Sequence, residues 1–196
     1  VHLVCRNRRR EAEVERHGAL TIHRMSPLPG VLRGLDGILS FPAFFNPRWL
    51  TLVVRTFRSN NVDVLVCRDL PLAPLALFAS RLLGKPLVVD VAEHYPALLS
   101  DLYNRHDFRI QNLLVRNPVF ASILERVTLP SADLNWVVVE EMAQRLQSMG
   151  VAPARTVIVG NTPTPARVER LKGLPQVHEQ HSLLRLVYLG IVEWSR

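Results

Sequence analysis

Glu93 and His94 stand side by side just after a run of apolar residues that begins at Leu87. Carboxylate and imidazole groups transfer protons and bind hydroxyl or phosphate groups, so such a pair is a candidate for chemistry. Four apolar residues surround Asp90, which predicts a fully buried strand, and Pro96 is expected to stop its regular continuation. Ligands bind just outside the carboxyl ends of strands in open parallel sheets. This placement favours a functional pair over the alternative, in which Glu93 is solvated and His94 caps a neighbouring helix.

A second strand with a polar end is predicted at residues 62–67, followed by Arg68 and Asp69. Residues 70–83 are apolar nearly all round, which predicts a buried helix, and Gly84 is its C-terminal stop. A strand, a helix and a second strand in this order form the parallel crossover from which α/β sheets are built. Asp69 is therefore another polar residue at the carboxyl end of a strand.

The rest of the chain continues the alternation of predicted strands and helices. Asn46 and Pro47 mark a helix start, with Asn46 as the N-cap. Residues 11–17 are polar and are interpreted as a connection with helical character. The further strands are predicted at residues 1–5, 20–25 (near a sheet edge), 134–139, 156–159 and 184–189. The further helices are predicted at residues 47–59, 97–103, 118–129 and 140–149.

The composition is that of a globular protein, with 48% hydrophobic and 21% charged residues among 196. No apolar run approaches the roughly 20 residues that cross a bilayer. The net charge of +7 comes almost entirely from arginine and favours anionic partners such as phosphates, acidic glycans or membrane surfaces. Nucleic acid is not the favoured partner, because the sequence contains no known nucleic-acid-binding motif. Cys5 and Cys67 fall in predicted strands and fit buried thiols in a reducing compartment.

The basic run at residues 6–10 follows the first predicted strand. It is interpreted as a solvated turn, with a phosphate or membrane-surface contact as the alternative. Phe41 to Phe45 lie beside a loop rich in proline and glycine, and they are the candidate for an exposed patch on the acceptor or membrane side. His178 and His181 are three residues apart, but no third ligand lies near them in the sequence, so no metal site is predicted.

Ten segments, in this order and spacing, resemble the N-terminal half of a GT-B fold glycosyltransferase of family 4, a large family of retaining enzymes. They are residues 46–50, 62–69, 71–76, 84–90, 93–94, 124–126, 132–133, 137–142, 159–163 and 186–190. The last of these resembles the first strand of the C-terminal domain of the family, so the resemblance covers nearly the whole chain.

The resemblance implies an α/β fold with a Rossmann-like parallel sheet flanked by helices, followed by the first strand of a second domain. Residues 1–163 would form the N-terminal domain without its first strand, which in the family carries a Gly-rich turn near the donor. Residues 164–183 would be a linker, and residues 184–196 would begin a C-terminal domain that is cut short. The chain is therefore expected to be a fragment at both ends.

The resemblance also implies the transfer of a sugar, with retention, from a nucleotide-sugar donor to a glycan or lipid-linked acceptor. The donor is a substrate, and no cofactor or metal is expected. His94 would face the cleft, and His94 and its neighbour Glu93 would be the catalytic residues, while Asp69, Asn161 and Arg68 would bind substrate. A cytoplasmic location is expected, and a peripheral contact with the inner face of the membrane is left open.

Two glutamates that contact the donor in this family belong to its C-terminal half and are absent from this chain. The isolated chain is therefore expected to be inactive, as the acceptor-side domain of a larger enzyme. Two alternatives remain: an enzyme of the same architecture that resembles a nucleotide-sugar epimerase, and an inactive, truncated binding domain.

Overall fold

The computed structural model describes residues 1–7, 9–28, 30, 32, 44–103, 117–161 and 165–172. Strands and helices alternate along these ranges. The strands are β1 (His2–Cys5), β2 (Val14–His17), β3 (Leu20–Arg24), β4 (Leu65–Arg68), β5 (Leu87–Val91), β6 (Leu134–Val137) and β7 (Thr156–Ile158). The α-helices are α1 (Pro47–Asn60), α2 (Ala73–Leu83), α3 (Tyr95–Tyr103), α4 (Pro118–Thr128), α5 (Glu140–Ser148) and α6 (Pro165–Lys172).

The chain divides into two compact units, residues 1–159 and residues 160–196. All seven strands named above belong to the first unit. In the second unit the structure describes α6, which lies in the segment expected to be a linker. The strand predicted at residues 184–189 and the histidines at positions 178 and 181 lie outside the described residues.

Four strands of the first unit form an all-parallel sheet in the order β4-β5-β6-β7. Leu87, Val89 and Val137 are completely buried on one face, where they form a core with residues of α2 and α5. β5 lies between two other strands, which explains its nearly continuous apolar sequence, because inner strands of parallel sheets are buried. The structure thus shows the expected α/β class, a parallel sheet flanked by helices.

The helices begin and end where local chemistry predicts. Asn46 caps α1 by accepting a hydrogen bond from the backbone N–H of Arg48 at 3.0 Å. Asn117 caps α4 in the same way, although the sequence analysis had not identified this cap. Gly84 ends α2 with a φ of 62°, a left-handed conformation that glycine adopts without steric cost.

The helix after β5 begins earlier than predicted. The strand ends at Val91, before Pro96, as expected, but Pro96 already lies in the first turn of α3, which begins at Tyr95 and not at residue 97. A proline is well tolerated there because its missing N–H would have no partner inside the helix in any case. The predicted helix at residues 70–83 begins as a 3₁₀ turn, Leu70–Leu72. It is not buried all round, since Phe78 and Leu82 are more than half exposed.

β1, β3 and β2 form a second, three-stranded sheet. β1 pairs with β3 in parallel and β2 pairs with β3 antiparallel, so β3 is the central strand. The prediction of a strand near a sheet edge is therefore wrong. Residues 14–17 were expected to have helical character and instead form β2. The tight turn at Gly18 (φ 57°) brings them back against β3, and the guanidinium of Arg24 joins the carboxylates of Glu11 and Glu15 at 2.8 and 2.7 Å. These contacts within the hairpin override a weak local preference.

The prediction of an exposed patch at residues 41–45 is wrong for Phe44. Its side chain is buried and packs edge-to-face on Phe120, with ring centroids 5.4 Å apart. Phe45 is exposed, and Phe41 lies outside the described residues. Cys5 and Cys67 are both free thiols within strands, as predicted, but only Cys67 is buried, whereas Cys5 is half-buried. Among the described residues, no helix is both long enough and apolar enough to span a membrane.

Candidate functional site

Asp69 joins the carboxyl end of β4 to the segment that follows β5. Its backbone N–H donates a hydrogen bond to the carbonyl of Asp90 at 2.9 Å, and its Oδ1 accepts one from the N–H of Ala92 at 3.2 Å. The backbone of Asp69 has φ 63° and ψ 169°, a region that is almost exclusive to glycine. Such an outlier persists only where the surroundings enforce it, so Asp69 is held in one orientation at the edge of the sheet.

Arg68 lies beside Asp90 because the register of β4 and β5 pairs these two residues. Nη1 of Arg68 is 3.0 Å from Oδ2 of Asp90, and Nε is 3.8 Å from Oδ2 of Asp69. The Arg68 side chain is 69% exposed, so this ion pair lies at the surface, where a ligand has access. The sequence showed Asp90 only as an interruption of an apolar strand, and aligning the ends of the two strands would have revealed its partner.

Carboxylates outnumber cations in this part of the site. Burial raises the pKa of Asp69, and the charges of Asp90 and Glu93 raise it further, against the opposing effects of the Ala92 hydrogen bond and Arg68. The pKa of Tyr95 is also raised, first by its burial and then by Asp69 and Glu93. Carboxylates accept hydrogen bonds from hydroxyl groups, which makes this cluster suited to a polyhydroxylated ligand. Among the described residues, no three His, Cys, Asp or Glu side chains are arranged to hold a metal ion.

His94 directly precedes α3, and its backbone carbonyl accepts a hydrogen bond from Leu98 N–H at 3.0 Å. Its backbone therefore takes part in starting this helix, and its ring is half-buried. Burial lowers the pKa of His94, and the positive charge of Arg145 lowers it further. The imidazole is therefore neutral near pH 7, which favours a hydrogen-bonding role over the stabilisation of negative charge by a protonated ring.

Arg145 of α5 is itself held by Glu125 of α4. Nη1 of Arg145 is 3.0 Å from Oε1 of Glu125, and Nη2 bonds Oε2, so the pair is bidentate. Glu125 is 1% exposed, whereas the side chain of Arg145 is 26% exposed. The sequence analysis did not identify this pair, because the residues lie on separate helices and no local pattern connects them.

The structure thus gathers four of the five predicted site residues, Arg68, Asp69, Glu93 and His94, around the carboxyl ends of β4 and β5. Glu93 is exposed, and its carbonyl accepts a hydrogen bond from Tyr95 N–H at 3.1 Å. The fifth predicted residue, Asn161, is exposed and belongs to the second unit, residues 160–196.

A comparison with protein families finds a match to the model described as the glycosyl transferase 4-like domain. The match extends over residues 1–162, which include both sheets and all four gathered residues. No curated protein matches the chain.

Proposed function

The chain belongs to the glycosyl transferase 4-like family, and on this premise we propose that it is the acceptor-side half of a retaining GT-B enzyme. The enzyme transfers a sugar from a nucleotide-sugar donor to a glycan or lipid-linked acceptor. The observation that supports this most directly is the cluster of polar groups at the carboxyl ends of β4 and β5, where parallel sheets bind ligands.

His94 is the proposed catalytic residue. Its neutral ring has one N–H to donate, and a sugar hydroxyl or a diphosphate oxygen is the acceptor. A donor fixed in position before the reaction costs no reorganisation when negative charge develops on the leaving group. Glu93, next to it and exposed, orients the transferred sugar through its hydroxyls.

The proposed substrate-binding residues are Arg68 at the end of β4 and Asp69 directly after it, with Asn161 contributing near the end of the family match. The carboxylate of Asp69 accepts from acceptor hydroxyls, while the exposed guanidinium of Arg68 attracts phosphate on a lipid-linked acceptor. The donor is the second substrate, and neither a cofactor nor a metal enters this proposal.

The test is sugar transfer by the protein that carries this chain, with His94→Ala compared with His17→Ala. His17 is exposed on β2 and is not among the gathered residues, so its replacement controls for the loss of an imidazole. Donors would be a panel of UDP-, GDP- and dTDP-sugars, with the anomeric configuration of the product read by NMR. We expect His94→Ala to lower kcat by about a hundredfold, the usual loss when a donor to developing charge is removed. The kcat of His17→Ala and the melting temperatures of both variants should stay unchanged.

Equal activity of the two variants would contradict the role of His94. Product of inverted anomeric configuration would contradict retention. A donor sugar whose ring carbon changes configuration without transfer would identify an epimerase instead, and no turnover of any donor would favour the inactive binding domain.

A further inference from the structure

The outer faces of two neighbouring helices, α2 and α4, expose large apolar side chains. On α4, Val119, Ile123 and Val127 follow one another at intervals of four residues and are 66%, 54% and 60% exposed. On α2, Phe78 and Leu82 are separated by the same interval and are 56% and 54% exposed. Residues four apart lie on one side of a helix, so each helix presents an apolar stripe. Contiguous exposed apolar side chains, unlike single ones, mark an interaction surface.

Arg81 joins the two stripes into one surface. Its Nη2 donates a hydrogen bond to the carbonyl of Ser131 at 2.6 Å, and the hydroxyl of Ser131 donates one to the carbonyl of Val127 at 2.7 Å. The guanidinium of Arg81 therefore lies beside the C-terminal end of the α4 stripe, while Leu82 follows it in α2. Arg126, next to Val127, is also exposed. We name the five apolar residues and these two arginines the α2–α4 surface.

The charge on the α2–α4 surface has one sign. Within the described ranges, no carboxylate forms an ion pair with Arg81 or Arg126. The one acidic residue in the two helices, Glu125, is 1% exposed and is paired across to α5. The next acidic residue after α4 is Asp133, and its Oδ2 accepts a hydrogen bond from a backbone N–H of β5 at 2.8 Å. The surface thus combines exposed apolar side chains with positive charge.

We propose that the α2–α4 surface is a docking site for a lipid bilayer that contains anionic lipids. At a bilayer, the apolar side chains enter the boundary between headgroups and acyl chains. The arginines extend to the lipid phosphates at the level of the hydrated headgroups. A protein partner would instead bury Arg81 between the two stripes, where desolvation costs about as much as an ion pair returns. A second copy of the chain would place these arginines against each other, which opposes self-association through this surface.

The surface ends at α5, whose exposed side is polar. Glu140, Glu141, Gln144 and Gln147 are exposed there, whereas Leu146 is completely buried. The outer side of α5 therefore offers control positions on a helix of the same layer. Bilayer docking needs neither substrate nor the residues gathered at the ends of β4 and β5, so this inference is independent of the proposed function.

The first test measures sedimentation of the 196-residue chain with vesicles of phosphatidylcholine, alone or mixed equally with phosphatidylglycerol. We expect binding to the mixed vesicles and little to the neutral ones. Each arginine near an anionic surface raises affinity about fivefold, so Arg81→Gln/Arg126→Gln should weaken binding about thirtyfold. Arg16→Gln/Arg155→Gln removes the same charge from exposed positions outside the α2–α4 surface and should leave binding unchanged.

The apolar stripe is tested separately with the same mixed vesicles. Val119→Gln/Val127→Gln should weaken binding severalfold, because less apolar surface then leaves water. Its control is Val14→Gln/Val157→Gln, which changes two exposed valines of β2 and β7 and should have no effect. All four residues are exposed, so the melting temperatures of both variants should stay close to that of the unaltered chain.

The second test locates the contact with a polarity-sensitive dye on a single cysteine. In a Cys5→Ser chain, where Cys67 is buried, the dye would be attached at Ile123→Cys or, on α5, at Gln144→Cys. Mixed vesicles should shift the emission of the dye at position 123 to the blue and leave the dye at position 144 unchanged.

Four results would overturn the proposal. They are equal binding to neutral and mixed vesicles, no binding to either, equal weakening by the two double arginine variants, and equal blue shifts at positions 123 and 144. A blue shift at position 123 that needs no vesicles and grows with protein concentration would identify a second copy as the occupant. A shift produced by an acidic peptide, and not by vesicles, would assign the surface to a protein partner. Either of these two results would also overturn docking to a bilayer.

Discussion

The backbone of Asp69 makes a stability measurement informative about the site. An L-residue at φ 63° and ψ 169° is strained by about 1–3 kcal/mol, a cost that glycine does not bear. Asp69→Ala keeps this strain and loses the hydrogen bond to Ala92, whereas Asp69→Gly loses the bond but relieves the strain. We therefore expect Asp69→Gly to be more stable than Asp69→Ala by about 1–3 kcal/mol in urea unfolding. Equal stability of the two variants would show that this position carries no strain.

The two thiols should differ strongly in reactivity. Burial raises the pKa of Cys67 to about 12, so only about one molecule in ten thousand carries its thiolate at pH 8. Cys5 is half-buried, and burial raises its pKa to a lesser extent. Iodoacetamide should label Cys5 in the native protein and Cys67 only after unfolding. Mass spectrometry would measure the number of labels on the unaltered chain and on the Cys5→Ser variant. Rapid labelling of native Cys5→Ser would refute the burial of Cys67.

The lowered pKa of His94 predicts a pH dependence of stability with a definite sign. Below its ordinary pKa of about 6.5, the unfolded chain takes up a proton at His94 that the folded chain resists. The stability from this residue is thus fully present above that pKa and is lost as pH falls towards the folded pKa. His94→Gln should flatten the decline in unfolding free energy between pH 7.5 and the folded pKa of His94. An unchanged slope would mean that His94 titrates normally.

At the next scale, the bidentate pair of Glu125 and Arg145 connects α4 to α5 and lies close to His94. Arg145→Met leaves a buried carboxylate without its partner, which typically costs about 3–5 kcal/mol. The double variant Glu125→Leu/Arg145→Met removes both charges and should recover most of this loss. Arg145→Met should also raise the pKa of His94, measured by NMR titration of its ring, because a nearby positive charge is gone. A double variant as unstable as the single one would contradict the argument from charge burial.

The same elements show what the sequence could predict and what it could not. The strand at residues 87–91 and the capped start of α1 were predictable, because burial in a parallel sheet and N-capping leave local patterns. The strand β2 was not predictable, since its four residues become a strand only through pairing with β3. Within the site, the strand-end positions of Asp69, Glu93 and His94 were predictable from the order of strand and polar residue. The conformation of Asp69 and the Glu125–Arg145 pair were not, because both depend on contacts between distant segments.

For the first unit as a whole, the basic loop after β1 lies on the same side as the gathered residues. Arg6 at the start of this loop lines one cavity together with Arg68, Asp69 and Tyr95, and Arg9 and Arg10 further along it are exposed. Two positive charges on that side attract an anionic substrate over roughly one Debye length, about 8–10 Å at physiological salt. This favours the proposed lipid-linked, phosphorylated acceptor over a neutral glycan.

The double variant Arg9→Gln/Arg10→Gln tests this attraction. Its control is the double variant Arg55→Gln/Arg58→Gln, which removes the same amount of charge from the exposed side of α1. Because steering acts on encounter and not on chemistry, the first pair should raise KM for a phosphorylated acceptor severalfold and leave kcat unchanged. The effect should vanish at high salt, since mobile ions screen exposed charges. The second pair should change neither constant. If both pairs raise KM equally, net charge and not the position of the loop governs the encounter, and if neither does, the acceptor approaches from another side.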